Sequence, residues 1–443
     1  MFSIFKNAFR VPDLRRRILF TLLMLIVFRF GAHLPVPYLS ADAMKAFLGD
    51  GLDLFSLFNT FTGGAFAQAT VLALGVSPYI NASIIVQLLT VAIPALERLA
   101  KEGVEGRKKI NKITRYLGII LALVQGAGLY VTLYNMGIQY SMTTIARTDA
   151  VGFFTIVLTF AAGTAFIVWL GELITEKGLG NGVSMIIFAG IVSGIPSGII
   201  TLYQNFLGAG MSVWGIVKFV LIAVLAVLAI TFVVLFNTAE RRIPVQYAKR
   251  VVGRKMYGGQ NTNIPIKVVM GGVMPIIFAS SIMAFPATIV RLMTGGNMPQ
   301  TGIWSYVLGC LSAGYRPEWW TSVVYAVLYF ILIIFFTYFY SSIQFNPIEL
   351  ANNIQKQGGS IPAIRPGKPT SDYITRVTTR LNFAGAIFLG IIAIMPVVLG
   401  AAFSVPALQI GGTSLLIMEG VALETVQQIE SQMTMRHYKG FLE

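Results

Sequence analysis

Charge is what this chain has least of. Of its 443 residues only 12% are Asp, Glu, Lys or Arg, about half the share in a soluble globular protein. So few ionisable side chains cannot cover a water-facing surface, which excludes a soluble fold and, with it, the charge-rich disordered and coiled-coil classes. A single cysteine, Cys310, excludes an intrachain disulfide framework. Two histidines, His33 and His437, leave no Cys/His cluster to hold zinc, and the sequence has no HExxH, GxSxG, GxGxxG or P-loop motif. Paired aspartates or a Ser/His pair within an apolar run, which an intramembrane protease needs, are missing as well. No catalytic residue, cofactor or metal is expected.

What is present is apolar surface: 56% of the residues are hydrophobic. A membrane-crossing helix needs about 20 mostly apolar residues, and ten such runs occur, at 18–36, 72–94, 113–134, 151–171, 183–203, 213–236, 267–290, 321–342, 381–400 and 409–430. The first run is too long for a cleavable signal peptide and no small-residue cleavage site follows it. The cations then orient the spans. With Arg115 and Lys267, at span edges, grouped with the adjoining gaps, 27 of the 33 Lys and Arg residues fall on one side of the ten spans. By the positive-inside bias that side is the cytoplasm, and both termini lie there. The remaining cations are Arg29, Lys45, Arg147, Lys218, Arg291 and Arg316. Arg29 and Lys218 lie within spans, where snorkelling to an interface accounts for them; Glu419 and Glu424 are the carboxylates at span depth. Five spans in each half, residues 1–207 and 208–443, make the second half run inverted to the first.

Residues 53–70, DLFSLFNTFTGGAFAQAT, are apolar and aromatic, too short to span, and interrupted at Gly63-Gly64. They read either as an interfacial re-entrant helix or as a short helix folded back into a cavity, since irregular backbone at membrane depth is tolerated only where protein or water surrounds it.

Several longer patterns are more specific: VLALGVSPYINASIIVQLLTVAIP at 71–94, LERLAKEGVEGRKKINKITRY at 96–116, GELITEKGLGNG at 171–182, NPIELANNIQKQGGSIPAIRPG at 346–367 and GGTSLLI at 411–417. In this order and spacing they resemble the bacterial SecY family, the central subunit of the general protein-translocation channel, over residues from 10 to nearly the end. The resemblance implies an all-α polytopic membrane protein: ten transmembrane helices in two inverted five-helix halves around an hourglass pore. It also implies a re-entrant plug helix at about residues 54–68, with Phe55, Phe58, Phe61, Gly63 and Gly64. The mid-membrane ring would be Val76, Ile80, Val183, Ile187, Ile277 and Ile417; the family often has isoleucine at all six places, so the two valines make a slightly smaller gasket. A lateral gate between spans 2–3 and 7–8 would carry Ser83, Gln87, Ser280 and Ser281 along its seam.

The residues themselves agree with these roles without requiring them. Val76/Ile80 and Val183/Ile187 are each four apart, on one helix face, beside the backbone breakers Gly75, Pro78 and Gly182, with Pro275 beside Ile277. Aliphatic pairs in membrane helices also simply pack or face lipid, and the gate serines and Gln87 also suit ordinary interhelical hydrogen bonds. An aliphatic ring fits the task, because fixed charge in a constriction would trap opposite charge on a passing chain, whereas apolar side chains yield and dewet the empty pore. Two residues rotate a helix by about 200°, so Glu419 should point away from Ile417, and Glu424 should return to its face.

The loop 237–266 alternates at Ile243, Val245 and Tyr247, then presents Lys249, Arg250, Arg254 and Lys255 around Gly253, which reads as a hairpin with a basic tip, behind Arg241 and Arg242. The loop 343–380 carries Lys356 and sets Arg365 before Pro366-Gly367. By resemblance these loops dock the ribosome and the SecA ATPase; rRNA phosphates and carboxylates both suit arginine. The same charges also fix topology and meet anionic lipid. The family further implies the partner subunits SecE and SecG and, as substrates, signal-sequence-bearing polypeptides released sideways into membrane lipid of the bacterial cytoplasmic membrane. An ion-coupled secondary transporter built on inverted repeats is the competing reading. It predicts a compact polar site at mid-depth, where the sequence places an aliphatic waist.

Overall fold

The structure is a computed structural model that describes residues 9–42, 44–45, 59–140, 144–207, 213–247, 250–252, 255–257, 261–294, 302–311, 319–403 and 411–439. Each of the ten apolar runs contains a helix among the described residues. In chain order the helices are α1 (Pro12–Gly31), α2 (Ser77–Ala92), α3 (Pro94–Lys101), α4 (Val104–Tyr140), α5 (Ala150–Lys177), α6 (Gly182–Leu207), α7 (Val213–Thr238), α8 (Met274–Met293), α9 (Ile303–Leu311), α10 (Trp319–Gln344), α11 (Pro347–Lys356), α12 (Lys368–Phe403) and α13 (Gly411–Lys439). Five short strands, β1 (Glu240–Tyr247), β2 (Arg250–Val252), β3 (Lys255–Tyr257), β4 (Asn261–Lys267) and β5 (Gly359–Ser360), lie in the two basic loops.

Among the described residues six helices, α4, α5, α6, α7, α10 and α12, contain a stretch long and apolar enough to cross a membrane by themselves. The pair α2 and α3 meets the same length and apolarity only when taken together, and it is bent by 101°. The bend has a local cause. Pro94 disfavours helical backbone at the residue before it, and Ile93 is extended, with φ −108° and ψ 113°. The apolar part of α8 is shorter, α1 carries Asp13, Arg15, Arg16, Arg17 and Arg29, and α13 dilutes its apolar residues with glutamates and glutamines. Proline opens α1, α3 and α11, where its missing N–H leaves no bond unmade. At α11 the Asn346 side chain also accepts from the N–H groups of Ile348 and Glu349 at 3.1 and 3.3 Å.

The chain forms two compact units. The first comprises residues 1–216, 281–325 and 417–443, and the second 217–280 and 326–416. In the first, the segment after Gly64 is part of the core. Phe66, Ala69, Ala73 and Leu74 pack with Leu133 of α4 and Ile156 and Phe160 of α5. A second cluster, Leu14, Leu179 and Ile429, joins α1, the α5–α6 turn and α13. In the second unit Phe236 of α7 stacks on Phe388 of α12 at 4.1 Å between ring centroids, and Phe278 of α8 meets Phe336 of α10 edge-on. Only Ile222 and Val233 of α7 are buried; the rest of this apolar helix is surface suited to lipid.

Candidate functional site

The expected ring residues fall on helix starts. Val76 caps α2 and is buried, and its carbonyl accepts from the Ile80 N–H at 3.0 Å, so the two sit one turn apart. Val183 and Ile187 occupy the first two turns of α6. Ile187 is buried, while Val183 is half-buried, its Cγ2 2.9 Å from where a Cβ on Gly171 would lie. The α5–α6 turn is therefore drawn in tightly, and glycine at 171 lets Val183 approach α5. Ile417 on α13 is 4% exposed. All five belong to the first unit; Ile277, half-buried on α8, belongs to the second. Glu419, two residues beyond Ile417, is 6% exposed and faces protein, whereas Glu424 is exposed.

The α5–α6 turn is also held by hydrogen bonds, which gives the GELITEKGLGNG motif its structural sense. The Thr21 hydroxyl of α1 accepts from the Leu179 N–H at 3.0 Å. The Gln428 side chain of α13 accepts from the Gly180 N–H, and Thr175 from the Gly182 N–H at 2.8 Å. Gly180 stands at φ +73°, a backbone that favours glycine.

Of the gate residues, Ser83 and Gln87 are half-buried on α2, and the Gln87 Oε1 has no hydrogen-bond partner among the described residues. Ser280 donates to the Ile277 carbonyl at 3.0 Å. Ser280 and Ser281, both half-buried on α8, belong to different units. Of the plug residues, Phe55 and Phe58 lie outside the described residues. Phe61 ends a short helical turn and Gly63 and Gly64 follow at φ +65° and +89°.

The basic loops form a folded module within the second unit. β1 pairs with β4 in antiparallel register and, through Gln246 and Tyr247, with β5. Pro244, without an N–H to give, thus faces an uncovered edge. The alternation expected of β1 holds: Ile243 and Val245 point inward and pack with Ile266, Ile354, Ile361 and Ile374. Arg241 and Arg242 remain outside, with Arg242 Nε 2.7 Å from Glu240 Oε1. Arg250 and Lys255 lie on the β2–β3 hairpin, paired with Tyr257 and Val252; Lys249 and Arg254 lie outside the described residues. Lys356 ends α11 and is exposed. Arg365 is exposed on a turn fixed at both ends: the Thr370 hydroxyl donates to its carbonyl at 2.9 Å, and the Ser371 N–H bonds the Gly367 carbonyl at 3.1 Å.

Two contacts were not legible beforehand. Arg115 lies at the edge of the run 113–134, where the charge count places it with the basic segment before the run. In the structure it leaves α4 to grip Glu172 of α5 with both Nε and Nη2, the Nε–Oε1 distance being 3.1 Å. The pair borders a cavity of about 60 Å³ with Tyr79, Thr164 and Trp169. Its sequence signal is one arginine in an apolar run and one glutamate in a motif 57 residues away. Arg29, expected to snorkel, instead donates from Nη1 to the Gly63 carbonyl at 2.8 Å.

Comparison with known proteins agrees with this arrangement. The SecY family model matches residues 70–426. Protein translocase subunit SecY of Halalkalibacterium halodurans is 45% identical over 447 residues, and that of Streptomyces galbus 44% identical over 462, each match covering 100% of both chains. Two solved structures share the fold at 18% and 19% identity. One is of SecY and concerns a plug domain that stabilises the closed channel and maintains a membrane seal (TM-score 0.66). The other is Sec61 in a canine ribosome-channel complex from the endoplasmic reticulum (TM-score 0.61). Each covers 94% of this chain and 92% of that one. Full-length identity at this level, over a multi-pass helical chain, makes it a member of the SecY family of protein translocase subunits.

Proposed function

We propose that this SecY-family subunit of a protein-conducting channel passes unfolded secretory polypeptides across the bacterial cytoplasmic membrane and releases hydrophobic segments sideways into lipid. Both termini are cytoplasmic in this reading, with residues 1–207 and 208–443 as the two inverted halves. The observation that carries it is the full-length agreement with bacterial translocase subunits. Val76, Ile80, Val183, Ile187, Ile277 and Ile417 form the constriction. Their aliphatic side chains offer a passing chain no charge to bind, and the empty ring sheds water. A hydrophobic signal segment gains free energy on leaving for lipid, so the seam carrying Ser83, Gln87, Ser280 and Ser281 acts as a partition device. Residues 54–68 seal the channel from outside at rest.

The exposed cations of the β1–β4–β5 module face the cytoplasm and dock the ribosome and the SecA ATPase, while SecE and SecG complete the complex. A similar chain, Sec61, is found in a ribosome-channel complex, which supports the ribosome as a partner. The test is a stalled precursor crosslinked to a cysteine placed at Ile80 or Ile277. Adducts at both positions are expected while the chain is engaged, and none with a precursor lacking a signal segment. Absence of adducts at both during active translocation overturns the constriction.

A further inference from the structure

Residues 59–74 divide sharply into a part that is packed and a part that is only held. From Ala65 onward the segment belongs to the core, with Phe66 and Ala73 fully buried and packed on α4 and α5. Before it, residues 59–61 form a last helical turn closed by paired bonds, Gly63 N–H to Thr60 O at 3.2 Å and Gly64 N–H to Asn59 O at 2.8 Å. This is the six-to-one and five-to-two pattern of a helix end with a left-handed residue after it, and Gly63 supplies that residue at φ +65°.

The turn leaves the Gly63 carbonyl outside the short helix, and there Arg29 Nη1 donates to it at 2.8 Å. On its other side the turn lies against α6. A Cβ on Gly63 would meet the Ser193 hydroxyl, Arg29 Nη1 at 2.7 Å and the Gly190 carbonyl at 3.0 Å, and a Cβ on Gly190 would strike the Phe61 carbonyl. Gly64, at φ +89°, has nothing within 4 Å of its Cβ position. One glycine is gripped and the next is open.

We infer that Arg29 is a positioning residue that latches the seal. Its guanidinium holds the Gly63 turn against α6, and Gly64 is the pivot about which the preceding turn leaves when the latch breaks. The inference rests on residues 54–68 being the seal of the channel. A charged donor is suited to this place, since a hydrogen bond from an ionised group is stronger than a neutral one and a single discrete bond can be exchanged. An arginine inside a span also needs a protein partner, and the carbonyl provides one without a second charge. If the latch biases a two-state equilibrium, losing one charge-assisted bond raises the open fraction about ten-fold.

The test uses vesicles reconstituted with the full-length chain in its complex and loaded with potassium chloride. Ion efflux is read without precursor, beside translocation of an intact precursor. Arg29→Leu and Gly63→Ala should each leak about ten-fold faster, by the loss of that one bond, while still translocating the precursor. Arg29→Lys, which keeps a charged donor, should stay close to the parent. Gly194→Ala, on the same α6 with nothing within 4 Å of its Cβ, should be tight. If Arg29→Leu and Gly63→Ala are tight while deletion of residues 59–64 leaks, the latch is wrong and the seal stands. If the deletion is also tight, seal and latch fall together. Equal leak from Arg29→Lys and Arg29→Leu, with equal loss of translocation, overturns a positioning role in favour of general damage.

Discussion

At the scale of single residues, the ion pair between Arg115 and Glu172 shows what the fold adds to a charge. Each side chain is partly open, 50% and 30% exposed, so solvent screens the pair and its worth is that of a surface ion pair with good two-pronged geometry. Arg115→Leu or Glu172→Leu alone should lower the stability of the purified protein by about 0.5–1 kcal/mol, and the double substitution should recover more than half of that. Thermal unfolding of the four proteins measures the coupling; additive losses would show the pair to be indifferent. Charge counting places Arg115 with the basic segment at the edge of the run 113–134; its partner is on another helix, and nothing in the order of residues says which face of α4 meets α5. Arg29 differs in kind. Its partner is a backbone carbonyl, which has no residue-type signature at all, so only the folded turn at Gly63 reveals it.

At the scale of elements, each apolar run contains a helix among the described residues, but hydropathy does not place the helix ends, nor the short α3, α9 and α11. α4 begins at Val104, nine residues before the apolar run it contains, because the backbone ladder continues wherever residues such as Lys108, Lys109 and Lys112 favour helix, whether or not lipid surrounds them. α8 begins later than its run, at Met274, since residues up to Lys267 are engaged in β4. The elbow between α3 and α4 was hidden for another reason: it depends on a close approach. Gly106 is buried, and a Cβ there would overlap the Leu99 carbonyl oxygen and lie 2.9 Å from its carbon. Both are backbone atoms, so no side-chain rotation relieves the clash. Gly106→Ala should open the elbow at a cost of about 1–3 kcal/mol and speed tryptic cleavage after Lys101 or Arg107. An unchanged cleavage rate would mean that the approach is not maintained in the membrane.

At the scale of the molecule, the cations of the loops 237–266 and 343–380 sit on a module that has its own core. Ile243, Val245, Ile266, Ile354, Ile361 and Ile374 form an apolar centre that joins the strands to α11 and the first turns of α12. The sequence pattern of β1 points to two of these, Ile243 and Val245. The contribution of α11 and β5 has no such signal, because the pairing of Tyr247 with Gly359, 112 residues on, leaves no local periodicity. This core matters for reading mutants. Arg365 lies outside it, on a turn held through its carbonyl by Thr370 rather than through its guanidinium, so Arg365→Glu changes surface charge without removing a contact that folds the module. Arg242, by contrast, already has Glu240 at 2.7 Å, and reversing it would disturb a neighbour as well. If the module docks the motor ATPase, reversing Arg365 costs a central arginine contact, commonly 2 kcal/mol or more, so motor-driven translocation should fall about ten-fold or further. Membrane insertion of the chain itself should be unchanged, because one cation among 27 on that side does not set topology. The two readouts separate the roles: normal precursor transport by Arg365→Glu vesicles would leave the exposed arginines as topology and lipid contacts alone, and loss of insertion would make Arg365 structural.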